Sequence, residues 1–489
     1  MDEPGERRSE GVEEALAGGV RDDACLLGDD PRTLFSTAGE MFSVPYADIA
    51  NLQLETLRRR FESLAPKVTM LGRLASQAGV DQIRALEDGA ALLYPSGIYK
   101  SYRLSWLEGG DFQSLTEWMA QFTTHDLSGV KAGRASSLDQ WFSELEDASP
   151  LRVCHSSATS GKLSFVPRGE AEWRRRAGTI PFADEATGVE DGPHHVSYAG
   201  LPILSPFYRS GHSAFLMSLD WNIKVYGDPS TVETLYPGYL SSDLLVLAAR
   251  LKNSMGENDL PPDPAQFGLS SALSGRWSEL RELVSKPTQD RLAEFVETIN
   301  GRFGGQPVWV IGPWPTLVDA AGMAEQAGLL SCFGEDSIIH TGGGAKGRDL
   351  RSDDYAKVTR WLGVREIRDS YGMSELMGAN ATCMVGKYHL NPWTVPYLFG
   401  EDGTLLERHG TQKGRFGAVD LMASSYWGGY MSTDAVTMTW EPPCTCGRSG
   451  PYMEHEIGRI PDIVDDKVSC AATPALHDDL VKVLAQWGK

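Results

Sequence analysis

The chain has 489 residues, with 45 Lys and Arg against 66 Asp and Glu, a net charge of −21. That balance excludes a general nucleic-acid or anionic-membrane surface, which needs a basic footprint; an anionic ligand such as ATP would need local neutralisation by a cation, backbone N–H groups or a few placed side chains. No apolar run approaches the ~20 residues of a membrane span, the seven cysteines are too few for a disulfide framework, and the acidic N-terminus lacks a signal-peptide core, so a cytoplasmic, multi-domain globular protein with reduced thiols is expected.

Residues 1–30 hold ten Asp or Glu and three Arg with little to pack, and residues 1–40 are read as a disordered acidic tail. Leu52, Leu54, Leu57, Phe61 and Leu64 then recur at helical spacing, and residues 41–150 read as mainly helical. From residue 151 the pattern changes. Short β-rich runs such as "PVWVIGPW" and "DSIIHTGG" alternate with helical stretches such as "DLLVLAARLKN" and "LAEFVETING", which predicts an α/β core over 151–457 with a substantial parallel sheet; residues 458–489 form a short remainder.

Within that core, "RVCHSSATSGKLSFVPRG" (Arg152 to Gly169) packs six hydroxyl, small or glycine residues into Ser156–Gly161 between two strand-like runs. The Walker A pattern fails, because Gly161-Lys162 is followed by Leu163 and the first Gly is missing. Two readings remain for the turn. Successive N–H groups with the hydroxyls of Ser156, Ser157, Thr159 and Ser160 would converge on phosphate oxygens, or the segment is an ordinary Ser/Thr-rich surface loop. Further on, "SPFYRSGHSAFLMS" carries Tyr208, Arg209 and His212, candidates to meet a substrate carboxylate; a structural histidine is at least as good a reading of His212. "IIHTGGGAKG" reads as a strand and a glycine turn open to a flat ring. "IRDSYGMSELMG" places Tyr371, Gly372 and Glu375 at an expected strand-to-helix transition, the Tyr suited to a base and the Glu to a hard cation. "STDAV" and "EIGRIPD" supply Asp434, suited to a diol, and Arg459. Finally, Cys383 and His389 with the later Cys444-Thr445-Cys446 offer three thiolates and an imidazole, enough for a closed tetrahedral zinc site; free thiols and a strained Cys444–Cys446 disulfide are the alternatives.

In this order and spacing the four loop motifs resemble the adenylate-forming superfamily of acyl-CoA synthetases and adenylation domains, over roughly residues 95 to 470. "SYGMSE" and "CTCGRSGPYMEHEIGR" are similar to the phenylacetate-CoA ligase branch, while "GGGAK" and "SGIYKSYRL" are similar to the acyl-protein synthetases of bacterial luminescence systems. The resemblance implies an α/β large domain with mixed parallel sheets flanked by helices, a helical N-terminal region and a truncated C-terminal lid. It implies that Ser156 to Gly161 cover the β- and γ-phosphates of ATP, that Gly342, Gly343, Gly344 and Tyr371 enclose adenine, that Glu375 binds Mg²⁺, and that Asp434 holds the ribose with Arg459 beside it. The Cys…His…Cys-x-Cys set looks structural in the phenylacetate-CoA ligase branch. Ala158 stands for the usual Gly and Ser164 for a frequent Lys, so phosphate cradling would lean on backbone, hydroxyls and Lys162 or Lys346.

The implied function is adenylation of a small carboxylic acid and transfer of its acyl group to a thiol or amine: CoA, a carrier protein, a partner enzyme or the chain's own Cys470, which matches the acyl-accepting Cys of the luminescence synthetases. An external acceptor is the simpler reading, because Asp465 and Asp466 oppose a thiolate at Cys470. Against these enzymatic readings stands a non-catalytic nucleotide- or partner-binding protein, suggested by Ala158, Ser164 and the short segment after Arg459; the retained Glu375 and Asp434 favour the enzyme.

Overall fold

The computed structural model describes residues 27–30, 32, 34–35, 37–156, 162–184, 198–247, 288–343, 352–364 and 367–460. The N-terminal helices are α1 (Ala38–Ser43), α2 (Tyr46–Leu64), α3 (Thr69–Ala78), α4 (Leu104–Gly109), α5 (Phe112–Met119) and α6 (Leu138–Ala148). Helix α2 contains no Gly or Pro and buries Ile49, Leu52, Leu57, Phe61 and Leu64 along one stripe, the spacing that favours an amphipathic helix over a strand. Ser137 caps α6 through Gln140 N at 3.2 Å, and the Asp243 carboxylate takes the next two orphan donors, Leu138 N and Asp139 N.

Strands β1 (Cys154–His155) and β2 (Phe165–Val166) pair antiparallel. After α7 (Glu170–Asp184) come β3 (Ile203–Gly211), α8 (Ala214–Tyr226), β4 (Val232–Leu240), α9 (Thr288–Phe303), β5 (Trp309–Ile311), α10 (Trp314–Gln326), β6 (Ile338–Gly342), α11 (Ser352–Leu362) and β7 (Arg368–Tyr371). The sheet order is β4-β3-β5-β6-β7-β8, parallel throughout except for the edge strand β8 (Asn380–Ala381). Both faces are covered, as a parallel sheet requires. Leu204, Val310 and Ile339 pack with α9, α10 and α11; Trp309, Ile311 and Ile338 join a second core on the opposite face with Trp173 of α7 and Leu216, Leu219 and Ile223 of α8.

The second core also holds the N-terminal helices and a second sheet. Its strands β9 (Tyr388–His389), β10 (Thr394–Phe399), β11 (Thr411–Asp420), β12 (Gly429–Thr439) and β13 (Tyr452–Met453) lie in the order β10-β11-β12-β13-β9, all antiparallel, with β14 (Gly458–Arg459) added against β12. Among the described residues no helix is long and apolar enough to cross a membrane.

One expectation fails here. The segment after Tyr371 does not enter a helix; it turns and returns as β8, with Tyr371 opposite Asn380. A buried carboxylate explains the difference: Asp420 accepts from Met377 N at 2.7 Å and Gly378 N at 2.8 Å, taking donors that a helix would need for itself.

Candidate nucleotide site and candidate metal centre

Strands β3, β6 and β7 end on the same side of the parallel sheet, the side on which such sheets carry their ligands. Tyr371 closes β7 there. Its ring is 8% exposed and packs edge-on against Phe416 at 5.6 Å, and its hydroxyl donates to Asp434 Oδ2 at 2.8 Å, bridging the two sheets. Burial first, and the adjacent Asp434 carboxylate second, push the phenol well above its usual range, so it stays a donor.

Asp434 reaches Tyr371 because β12 is irregular. Arg415 pairs with Ala435 and Gly417 with Met431, so Ser432, Thr433 and Asp434 stand together opposite Phe416. Such bulges re-aim side chains. Ser432 Oγ donates to Phe416 O at 2.7 Å and accepts from Asp434 N at 3.0 Å, while Arg415 Nε holds Ser432 O at 2.6 Å. Arg459, paired with Asp434 through β14, lies 3.3 Å from Asp434 Oδ1 through Nε and donates to Thr433 Oγ1 at 3.0 Å.

Glu375 sits in the turn between β7 and β8, 3% exposed. Two residues that the sequence did not single out hold this turn. Asp420 takes its amides as described, and Arg168, 1% exposed, donates to Ser374 O at 2.7 Å and to the Tyr426 hydroxyl at 3.1 Å while lying over the Trp173 ring. Neither belongs to a recognisable pattern; only the fold brings them to the turn.

The remaining sequence candidates fall in three groups. Ser156 is buried at the mouth of the β1–β2 turn, where its Oγ accepts from Ser164 N at 3.1 Å and its carbonyl meets His155 Nδ1 at 2.8 Å. Ser157, Thr159, Ser160, Gly161, Gly344, Lys346 and Cys470 lie outside the described residues. Lys162 donates to Tyr102 O at 2.5 Å and sits over the Tyr102 ring; burial and then Lys100 lower its pKa. Gly342 ends β6 where a Cβ would meet Ser370 O at 2.9 Å, and Gly343 has φ 79°, so both positions call for glycine. Gly372 follows Tyr371 in the turn, where a Cβ would meet Gly378 O at 3.2 Å. On β3, Tyr208 stacks on Tyr236 at 4.4 Å and Arg209 Nη1 lies 3.8 Å from Asp220. His212 has both ring nitrogens engaged, with Tyr239 OH at 2.6 Å and Glu146 Oε1 at 3.0 Å, and it stacks on Phe142.

Cys383, His389, Cys444 and Cys446 come together with all four ligand atoms within 4.8 Å of one another. Cys383 Sγ and Cys444 Sγ are 4.0 Å apart, and Cys446 Sγ is 3.3 Å from His389 Nε2. A tetrahedral ion with bonds of ~2.0–2.3 Å separates its ligand atoms by about 3.3–3.8 Å, so the four side chains would close around zinc by shifts on the order of an ångström. Burial, then Arg448, pushes His389 down to about 3, which keeps the imidazole in its metal-binding neutral form; burial and the neighbouring thiols push Cys446 up to about 12.

His455 connects this corner to β7. Its Nε2 lies 3.0 Å from Asp369 Oδ2, which also accepts from the Tyr388 hydroxyl at 3.0 Å, and its ring stacks on Tyr388. The hydrogen bond to Asp369 raises the His455 pKa above the ordinary 6.5. A raised value means the pair contributes fully below that ordinary value and loses its contribution as pH rises through the folded one. Because the imidazole side chain is 59% exposed, the contribution should stay below about 1 kcal/mol. Denaturant titrations should therefore find His455→Asn less stable than wild type at pH 6 and equal to it at pH 9; a difference independent of pH would count against the ion pair.

No family model matches the sequence, and no curated protein matches it. Solved structures do. An open form of 2-hydroxyisobutyryl-CoA ligase in complex with 2-HIB-AMP and CoA is similar at a TM-score of 0.52, with 13% identity, over 87% of this chain and 72% of that one. The same ligase in its thioesterification state, with the same ligands, gives 0.53 and 14% over 91% and 74%. The chain shares its fold with these ligase structures. In that fold, the antiparallel sheet carrying Asp434 faces the C-terminal strand ends carrying Tyr371, and the hydroxyl–carboxylate bond joins them.

Proposed function

We propose that the chain is an ATP-dependent acid ligase. An oxygen of the acid's carboxylate attacks the α-phosphorus of ATP, the bond to pyrophosphate breaks, and the resulting acyl-adenylate passes its acyl group to a thiol or amine with release of AMP. The observation that carries this reading is the meeting of Tyr371, Asp434 and Arg459 between the two sheets, a carboxylate with a fixed orientation beside an aromatic ring at the strand ends. Asp434 would accept hydrogen bonds from the two ribose hydroxyls, and Gly342 to Gly344 with Tyr371 would border the adenine. Residues 156–161 with Lys162 or Lys346 would meet the phosphates.

Glu375 would hold Mg²⁺, which when bound neutralises charge between two anions that must meet. The protein's own part is alignment and exclusion of water, and neither requires a proton-relay dyad. The four-ligand cluster would hold zinc structurally, since a closed tetrahedral site leaves no position for a reacting water. On this reading residues 151–457 form the adenylation core behind a helical segment at 41–150, and residues 458–489 belong to the lid side. The ligands of the similar ligase, 2-HIB-AMP and CoA, support a carboxylic acid and a thiol as the two partners here.

Pyrophosphate exchange into ATP, measured with Mg²⁺ over a panel of short hydroxylated, branched and aromatic acids, tests the proposal. At least one acid should give exchange well above the acid-free rate. Absence of exchange with every acid, in protein that binds ATP, would favour a non-catalytic binder.

A further inference from the structure

The geometry points to the Tyr371 hydroxyl as a positioning group for ribose recognition: it fixes the plane of the Asp434 carboxylate so that both oxygens face a vicinal diol. This inference rests on the ATP-ligase reading above and adds to it a specific origin of ribose selectivity.

Three observations combine. First, among the described residues the two oxygens of Asp434 each have one partner on a different element, Tyr371 OH at 2.8 Å for Oδ2 and Arg459 Nε at 3.3 Å for Oδ1. A carboxylate offers about four lone-pair sites, so one site per oxygen remains for a ligand. The Tyr371 hydrogen bond at one end and the Arg459 ion pair at the other restrict rotation of the group about its own axis, and a diol that donates to both oxygens at once needs that rotation restricted. Second, the two clamps differ in rigidity. The Arg459 side chain is 48% exposed, whereas Tyr371 is buried with its ring against Phe416 and Tyr388. The phenol is therefore the fixed reference and the guanidinium the adjustable one. Third, the backbone under Asp434 is built for this direction: the three-residue bulge opposite Phe416 is tied by Ser432 Oγ, and Phe416 is the residue on which the Tyr371 ring rests. One aromatic residue thus sets both the ring and the carboxylate strand.

Tyr371→Phe keeps the ring and its packing and removes only the hydroxyl. Full-length protein and the variant should be titrated by calorimetry with ATP and with 2′-deoxy-ATP, both with Mg²⁺. Wild type should bind ATP about ten-fold tighter than 2′-deoxy-ATP, the size of one hydrogen bond to a charged group. The variant should lose roughly ten-fold toward ATP and keep little discrimination between the two nucleotides, approaching the behaviour of Asp434→Asn, which provides the same readout should Tyr371→Phe fold poorly. Equal losses toward both nucleotides would mean that Tyr371 acts through its ring alone, and undiminished discrimination would mean that Asp434 needs no clamp; either overturns the inference while leaving the ligase reading in place. Failure of the wild type to bind ATP at all would overturn both.

Discussion

Glu375→Gln is expected to lower acid-dependent pyrophosphate exchange by about two to three orders of magnitude, the cost of removing one preorganised electrostatic group from a transition state of this kind. The substitution is nearly isosteric, so the turn should survive it. That turn is held by other groups: Arg168 on Ser374 O and Asp420 on the amides of Met377 and Gly378. Glu375 is 3% exposed, and the amide keeps its size and shape, so the packing of the turn should be retained. Thermal stability should therefore change much less than activity. Two outcomes would argue against the metal role: exchange within a few-fold of wild type, or a loss of activity that follows a loss of stability. Raising Mg²⁺ should restore part of the variant's rate, because a weakened ligand set shifts the metal requirement upward; a purely structural Glu would show no such dependence.

The candidate site could be proposed from the sequence where its parts are local. The Ser/Thr-rich turn between β1 and β2, the glycines after β6 and the pairing of a Tyr with a nearby Glu each follow from residue types that a turn or a strand end demands. The cysteine and histidine set was legible for a similar reason: few residue types bind zinc, and "CTC" is a conspicuous pair. What could not be read was long-range. Asp420 looks like any strand-end aspartate, yet it decides that the chain after Tyr371 turns back into β8 and forms no helix. Arg168 reads as a surface arginine before a glycine, yet it is buried and crosses more than two hundred residues of sequence to hold Ser374. The antiparallel sheet β10-β11-β12-β13-β9 is equally hard to read, although "TVPYLF" and "GYMSTDAVTM" have strand composition, because its order depends on pairing between distant strands and not on a local βα period.

Metal analysis of protein purified without chelator should find close to one zinc per chain, and its removal should cost the fold on the order of 5 °C or more in Tm. The reason lies in what the four ligands join. Cys383 follows the short strand β8, His389 lies on β9, and Cys444 and Cys446 come from the loop after β12, so one ion would tie both edges of the β8–β9 hairpin to the antiparallel sheet. The hydrogen bonds available for the same task are few: β9 pairs with β13 over two residues, Tyr388 and His389. Cys383, His389 and Cys444 are buried, which shields an ion from water but leaves vacated thiols and an imidazole packed together at a desolvation cost once it is stripped. Cys444→Ser should reproduce the chelator's effect, and chelation should have little further effect on that variant. The consequence should also reach the nucleotide side. Tyr388, next to His389, bonds Asp369 on β7 two residues before Tyr371, so loosening β9 loosens the strand on which the candidate site is built. ATP affinity should fall with zinc content in the same preparation. Protein with less than about a tenth of an equivalent of zinc and an unchanged Tm after chelation would leave the four side chains as a buried cluster of free thiols, and the hairpin would then owe its position to β9–β13 pairing and the Tyr388–Asp369 bond.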